Sequence, residues 1–520
     1  MSVRPVSTVV VFCALAVWHV APVTECARIL AVAPVAGKSH WNFMSAVLGA
    51  LTDRGHNVTV FTPFPEGDRP NYTEVDMSNV LPNTIGVDVN PMLKNQFEDS
   101  ILPVSILPIT VNYSRYMCNL VYADERMKTV LRSGGPHYDA VLVELISTDC
   151  VSYVATVLKL PMIHVTASPV ITNQERSLFG HVSNPAVITH LLDRVGRPRT
   201  LYGRFKSLLL HAYTVYLFAK TETKLKNERL ELYDRVELVK PSMTFFNTHY
   251  VTEPSRSWPP NIIQIGGIHL SSSRTIPSDI LEFIENSPHG VIYFTFGSVV
   301  SMSTLPDHIQ KAFKEALAQV PQRVLWKYEG EMKDKPANVM TSKWFPQRDI
   351  LLHPNVKLFI SHGGISGVYE AVDAGVPVLG FPLFYDQPRN IENLVEAGMA
   401  ISLDLLKVTK KPFLDAVTEL INNKSYAENA KITSERFKDR PMTPAESVVY
   451  WTEYVIRHKG APHLRSHALD LTWYQYFLLD VIAALLLALS IAGYVAYKVL
   501  KLIYSLASGQ LLKNTKHKAE

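Results

Sequence analysis

The sequence predicts an α/β protein of two domains, set between a leader segment and a late membrane span. Three observations carry this reading. The chain has 520 residues, too many for one ordinary core. Short β-branched runs alternate with helical stretches in both halves, the rhythm of parallel sheets covered by helices on both faces. Long apolar segments lie near both ends. Hydrophobic residues make up 47% and charged residues 19% of the chain, which fits a folded protein with some membrane-embedded sequence. A net charge of +4 is small for this length and gives no case for nucleic acid. None of the four cysteines has a zinc-type spacing, so no metal is expected. Cys118 and Cys150 are the clear candidates for a bridge, and their pairing is left open.

The elements follow in order. Residues 1–26 carry one early Arg4 and the apolar run Val9 to Val17, then the small residues Cys26 and Ala27, the pattern of a secretory signal peptide. Arg28 to Pro34 reads as a first strand, Lys38-Ser39-His40 as a loop, and Trp41 to Arg54 as a helix stopped by Gly55. Asn57 to Phe61 is the second strand. Ligands of such a β-loop-α-β unit gather at the C-terminal strand ends, where His40 lies. The tract LPVSILPIT offers lining for an apolar pocket. Tyr138 to Glu144 is a buried strand, followed by Ser147, Thr148 and Asp149, then a helix from Cys150 to Leu158. Pro161 to Val165 is another strand, and residues 174–237 read as helical.

Glu253 to Pro260, with three prolines, is the linker candidate, giving domains at 27–252 and 253–440. In the second, Gly290 to Phe296 is a strand before the Gly297-Ser298 turn, Pro306 to Val320 a helix, and Arg323 to Tyr328 a strand. Val356 to Ile360 is a strand leading into Ser361-His362-Gly363-Gly364 and a helix from Gly367 to Ala374. A strand, glycine turn and helix N-terminus together make an anion cradle, because free N–H groups and the helix dipole both face the ligand. Residues 441–474 read as amphipathic helices bridging the domains. Residues 475–500 read as a membrane helix, charge-free from Val481 to Tyr497 and bordered by Trp473, Tyr474, Tyr476 and Tyr504. Residues 501–520 form a basic tail, placed in the cytosol by its lysines. The sequons at Asn57, Asn71, Asn112 and Asn423 agree with a lumenal body. The ending Lys516-His517-Lys518-Ala519-Glu520 resembles a retrieval signal for the endoplasmic reticulum.

The stretch from Trp344 to Gln387 carries a resemblance. Phe359-Ile360-Ser361-His362-Gly363-Gly364, then Gly367, Glu370, Pro377, Pro382 and Asp386-Gln387, with Trp344 and Gln347 upstream, resemble the UDP-glycosyltransferase signature. The order of parts is similar to that of the animal, membrane-anchored members, and WFPQRDIL is most like insect ones. The resemblance implies two Rossmann-like domains facing across a cleft, the GT-B fold, with the acceptor bound by the first and the UDP-sugar by the second. It implies that Trp344 stacks on uracil, Gln347 meets the uracil edge and Glu370 binds the ribose. Ser298, His362, Gly364, Ser366 and Gly367 would cradle the diphosphate, and Asp386 with Gln387 would grip the sugar. Vertebrate members often carry Asn where Ser366 stands, and some carry Arg where Lys327 stands.

His40 resembles the family's catalytic base, an imidazole suited to take a hydroxyl proton near neutral pH. A carboxylate should hold its other nitrogen. Both Asp149 and Glu144 are candidates, with Asp149 favoured because Asp is the family's residue type. The implied reaction is inverting transfer of a hexose, with glucose the expected sugar, to a hydroxyl of a small lipophilic acceptor. The UDP-sugar is a co-substrate, and no cofactor is implied. Two alternatives stay open: a transferase acting on lipid-linked or protein glycans, and an idle lipophile-binding relative. Homo- or hetero-oligomers are left open too.

Overall fold

The computed structural model describes residues 26–82, 106–134, 137–145, 147–169, 172–193, 198–272, 275–298, 300–383 and 385–516. The signal peptide, the first part of LPVSILPIT and the last four residues lie outside them. The first half gives β1 (Arg28–Val32), α1 (Lys38–Asp53), β2 (Asn57–Thr62), β3 (Tyr72–Asp76), α2 (Ile106–Ala123), α3 (Glu125–Arg132), β4 (Ala140–Glu144), α4 (Tyr153–Leu158), β5 (Met162–Thr166), α5 (Glu175–Phe179), α6 (Leu201–Glu228), β6 (Met243–Phe246) and β7 (Ile262–Gln264). The second gives α7 (Ser278–Glu285), β8 (Val291–Thr295), α8 (Asp307–Leu317), β9 (Arg323–Lys327), β10 (Val339–Ser342), α9 (Gln347–Leu352), β11 (Val356–Ser361), α10 (Ile365–Ala374), β12 (Val378–Gly380), α11 (Gln387–Glu396) and β13 (Ala400–Ser402). Helices α12 (Lys410–Asn422), α13 (Lys424–Lys438), α14 (Pro444–Arg457), α15 (Trp473–Tyr476) and α16 (Leu479–Lys516) follow.

Two parallel sheets result, ordered β3-β2-β1-β4-β5-β6-β7 and β10-β9-β8-β11-β12-β13. Burial explains why each central strand is a continuous apolar run: β4 and β8 are buried along their whole length. Alternate residues serve opposite faces. Ile29 and Ala31 join one core cluster of the first domain, and Leu30 and Val32 join the other. The order of strand addition reverses once in each all-parallel sheet, between β1 and β4 in the first and between β8 and β11 in the second. Loops leaving the two strands diverge at such a point and open a crevice, the place where α/β sheets bind ligands.

The structure corrects three boundaries. Strand β7 pairs with β6, Thr244 opposite Ile262, so the proline-rich 253–260 stretch connects two strands of the first sheet. The chain passes to the second domain only after Gln264, not at 252/253. The prolines do stop regular structure there, but between neighbouring edge strands. Helix α1 begins at Lys38, which puts His40 in a first helical turn instead of a loop. The apolar helix starts at Leu479, not at 475, because Leu478 has φ +55 and separates it from α15; it then runs on past 500 to Lys516. Its stretch Leu479–Ser508 is long and apolar enough to cross a membrane.

Two consecutive C-terminal helices pack on different domains. Helix α13 packs on the second domain through Ala430 and Phe437, while Val448 and Val455 of α14 enter the first-domain core beside Trp41 and Phe43. All four sequon asparagines are exposed. Cys118 of α2 and Cys150 beyond β4 form a disulfide, with 6.2 Å between their Cα atoms. Cross-linking across a separation of 32 residues removes unfolded-state entropy worth about 3–4 kcal/mol. Cys150→Ala is therefore expected to lower first-domain stability by about that amount, read as the shift in denaturant midpoint under non-reducing conditions. An unchanged midpoint would contradict it.

Candidate functional site

At the first switch point the register of the strands brings two side chains together. Val32 lies opposite Val143, so the chain leaving β1 passes beside the end of β4. There His40 Nδ1 donates to Glu144 Oε1 at 2.7 Å. The His40 side chain is 38% exposed and that of Glu144 1%, so the ring reaches the cleft while its anchor does not. Burial pulls the His40 pKa down, but the hydrogen bond and charge of Glu144, with the charge of Asp386, outweigh it and raise it above the ordinary value. With Nδ1–H committed to a carboxylate, Nε2 is the nitrogen left to accept a proton. Asp149, favoured from sequence as the partner, is instead salt-bridged to Lys240 at 3.4 Å. The reason is strand length: β4 ends at Glu144, beside β1, and Asp149 lies five residues beyond, in a separate helical turn.

The second switch point is built for close backbone approach. Thr295 of β8 lies opposite Ser361 of β11, and the turns after them pack the His362 ring between two glycines. A Cβ on Gly297 (φ +77) would stand 2.7 Å from the ring, and one on Gly364 2.6 Å from it. Neither position accepts a side chain. Burial and the neighbouring Lys327 push the His362 pKa down to about 4. The ring is therefore neutral near pH 7, and its buried Nδ1 has no hydrogen-bond partner among the described residues. Gly364 then caps α10 without a side-chain bond, which leaves the first N–H groups of that helix and its positive end facing the turn. Ser298 is half-buried in the turn after β8, and Ser366 and Gly367 sit in the first turn of α10.

On the next turn of α10, Glu370 accepts a hydrogen bond from Gln347 Nε2. Gly367 makes this crossing feasible, since a Cβ there would meet the Gln347 amide at 3.3 Å. Burial pushes Glu370 up to about 7, against the pull of Gln347 and Arg348. Trp344, just before α9, keeps 63% of its surface exposed, an unusual display for so large an aromatic. Lys327, by contrast, is held by Glu329 at 2.6 Å.

The loop from β12 into α11 supplies Asp386 and Gln387. Burial raises the Asp386 pKa, although Asn390 and the charges of His40 and Arg389 pull it down. The field between Asp386 and His40 acts in both directions, so the second domain faces the first-domain imidazole across the cleft. Gln387 Oε1 accepts from the Leu383 N–H at 3.0 Å, which fixes the loop. Two residues of this site escaped the sequence reading. Asn390 Nδ2 donates to Asp386 at 2.6 Å and to the Gly363 carbonyl at 2.9 Å, tying the loop to the glycine turn. Its signal was the four-residue spacing from Asp386 on one helix face. His269 Nε2 donates to the Ser366 carbonyl at 3.2 Å, and no local pattern marked it.

The arrangement offers an oriented base on one side of a cleft and an anion cradle with a carboxylate on the other. Comparison with known proteins identifies the family. A family model described as "UDP-glucoronosyl and UDP-glucosyl transferase" matches residues 27–514. The chain is 40% identical over 470 residues to UDP-glucosyltransferase 2 of Dactylopius coccus, covering 88% of this chain and 90% of that protein. It is 32% identical over 494 residues to UDP-glucuronosyltransferase 2B13 of Oryctolagus cuniculus, covering 91% and 92%. Among solved structures, the glycotransferase of kitacinnamycin superposes with a TM-score of 0.54 at 16% identity, over 83% of this chain and 98% of that one. Spinosyn forosaminyltransferase SpnP does so with a TM-score of 0.53 at 16% identity, over 83% and 99%. These likenesses identify the fold as GT-B.

One expectation follows from the α10 geometry alone. Gln347→Leu removes a hydrogen bond that favours the Glu370 carboxylate, so the titration midpoint of Glu370 should rise above about 7. Carboxyl-carbon NMR of labelled protein reads this directly, and a fall would contradict it.

Proposed function

This chain belongs to the UDP-glycosyltransferase family, and from that premise we propose that it transfers glucose from UDP-glucose, with inversion, to a hydroxyl of small lipophilic acceptors. The observation that carries the reading is the His40–Glu144 hydrogen bond of 2.7 Å, set in the cleft opposite Asp386. In the proposed step the acceptor O–H gives its proton to His40 Nε2 as its oxygen bonds to the anomeric carbon. The bond from that carbon to the diphosphate oxygen breaks, and UDP departs with the electron pair. Glu144 stabilises the imidazolium that forms. The charge growing on UDP meets the α10 N–H groups, His362 as a neutral partner, and the Ser298 and Ser366 hydroxyls. Trp344 would stack on uracil, with Gln347 at the base edge. Glu370 would accept from the ribose, and Asp386 and Gln387 would hold the sugar. The scheme uses no metal or organic cofactor.

Glucose is favoured as donor because the Dactylopius relative at 40% identity is named a glucosyltransferase, whereas the rabbit relative at 32% is named a glucuronosyltransferase. The same reading takes α16 as a single membrane span. It places both domains in the lumen of the endoplasmic reticulum behind a cleaved signal peptide, with a short basic cytosolic tail. That position suits acceptors that partition into lipid, and a role in detoxification or clearance.

The test is a donor-by-acceptor screen read by mass spectrometry, run beside a His40→Ala variant. Glucosides of phenols or steroids are expected from the native protein. The variant should lose about 10²–10⁴-fold in turnover with unchanged affinity for UDP-glucose by calorimetry. Products only on polyprenol or protein acceptors, or turnover that persists without His40, would overturn the reading.

A second outcome concerns pH. The base must be neutral to act, so kcat/KM rises with pH through the His40 pKa. Glu144 raises that pKa. Glu144→Gln should thus move the acidic limb to lower pH while lowering the plateau, and Asp149→Asn should leave both in place. A limb that follows Asp149 would contradict the assignment.

A further inference from the structure

Helix α6 is turned inside out. Its buried residues are Ser207, His211, Thr214 and Thr221, while Leu201, Tyr202, Phe205, Leu208, Leu209 and Tyr216 stand 52–78% exposed. At 100° per residue the exposed six fall on one stripe of the helix. The inner face has a reason to be polar. His211 meets the His190 ring edge-on at 5.3 Å, and the Thr214 and Thr221 hydroxyls bond back to carbonyls of the same helix. The outer face has no such reason in water. A contiguous apolar stripe on a folded domain marks a surface that something covers.

We infer that α6 lies along the surface of the bilayer that α16 crosses, with this stripe set into the headgroup region. The inference rests on the proposal that α16 spans a membrane. Two observations select a lipid surface as the occupant. The exposed charges of α6 are Arg204, Lys206, Lys220, Lys224 and Lys226 against Glu228. Lys206, Lys224 and Lys226 are paired with Asp193, Glu228 and Glu222. Arg204 and Lys220, at the two ends of the stripe, lie outside these pairs and are complementary to anionic headgroups. Long basic side chains beside an apolar stripe also let the helix sink while their charges stay in water. The second observation is continuity with the anchored segment. Arg176 of α5 donates to the Leu471 carbonyl at 2.7 Å and lies over the Tyr476 ring, just before α16 begins. Gly180 leaves room for Ser466, whose Oγ would stand 2.7 Å from a Cβ there. The strand-to-helix region that leads into α6 is thus fastened to the chain as it approaches the apolar helix. Lying on the bilayer, α6 would bring the acceptor domain against the phase in which lipophilic acceptors dissolve.

The test uses the full chain reconstituted in phosphatidylcholine–phosphatidylserine vesicles, with Cys13→Ser and Cys26→Ser as background, so that the bridged Cys118 and Cys150 are the remaining native cysteines. An environment-sensitive fluorophore is attached at Phe205→Cys or Leu209→Cys, and at Leu487→Cys as a control within α16. Lipids carrying a nitroxide near the top of the acyl chain should quench the two α6 positions. Quenching at 487 by a deeper nitroxide with none at 205 or 209 would overturn the inference and leave the span intact. No quenching at 487 would refute the span itself. A blue-shifted α6 signal insensitive to nitroxide, with energy transfer between copies, would assign the stripe to self-association and also overturn it. Leu201→Glu with Leu208→Glu gives a functional readout. KM for a membrane-partitioned acceptor should rise several-fold, with that for a water-soluble acceptor unchanged, whereas equal changes in both would contradict the membrane role.

Discussion

The hydrogen bond between His40 and Glu144 depends on the direction of two strands. Strands β1 and β4 are parallel neighbours whose connections leave on opposite sides, so a crevice opens where both end. The first turn of α1 puts an imidazole into that crevice, and the last residue of β4 supplies a buried carboxylate beneath it. The second sheet repeats the device with other chemistry. Where β8 and β11 end side by side, two glycine turns replace the acid and base, and backbone donors replace side chains.

Catalytic geometry then becomes a matter of holding the two crevices face to face. The joint is made by buried polar contacts. Arg389, next to Asn390 on α11, pairs with Glu253 of the first domain at 2.6 Å and donates to the Thr189 carbonyl. Tyr369 of α10 donates to the Asn247 carbonyl at 3.2 Å. A buried ion pair adds little net stability after desolvation, but removing one partner is costly. Such a pair fixes a relative position better than it strengthens a fold. Here it sits three residues from Asp386, so the placement of that cleft carboxylate is tied to the joint between domains.

Much of this was legible in the residues. The apolar run of Val356 to Ile360 followed by His362-Gly363-Gly364 defines strand, turn and helix because each needs a different residue chemistry over a short stretch. The first strand and His40 were legible for the same reason. What failed depended on contacts between distant segments. Whether Glu144 or Asp149 reaches His40 is decided by where β4 stops beside β1, which no local pattern records. The prolines of 253–260 looked like a domain linker, since a break in regular structure reads the same within a sheet as between sheets. Helix α6 lies in a stretch that read only as helical, and its reversed polarity emerges only when its inner face meets His190.

Whether His40 can serve as the base depends on the state of its ring. Nitrogen-15 NMR of labelled His40 across a pH titration reports both the tautomer and the pKa. The predicted result is a neutral ring protonated at Nδ1, with a midpoint above the ordinary histidine value of 6.5. A ring protonated at Nε2, or a midpoint below that value, would show that Glu144 does not hold His40 as a base.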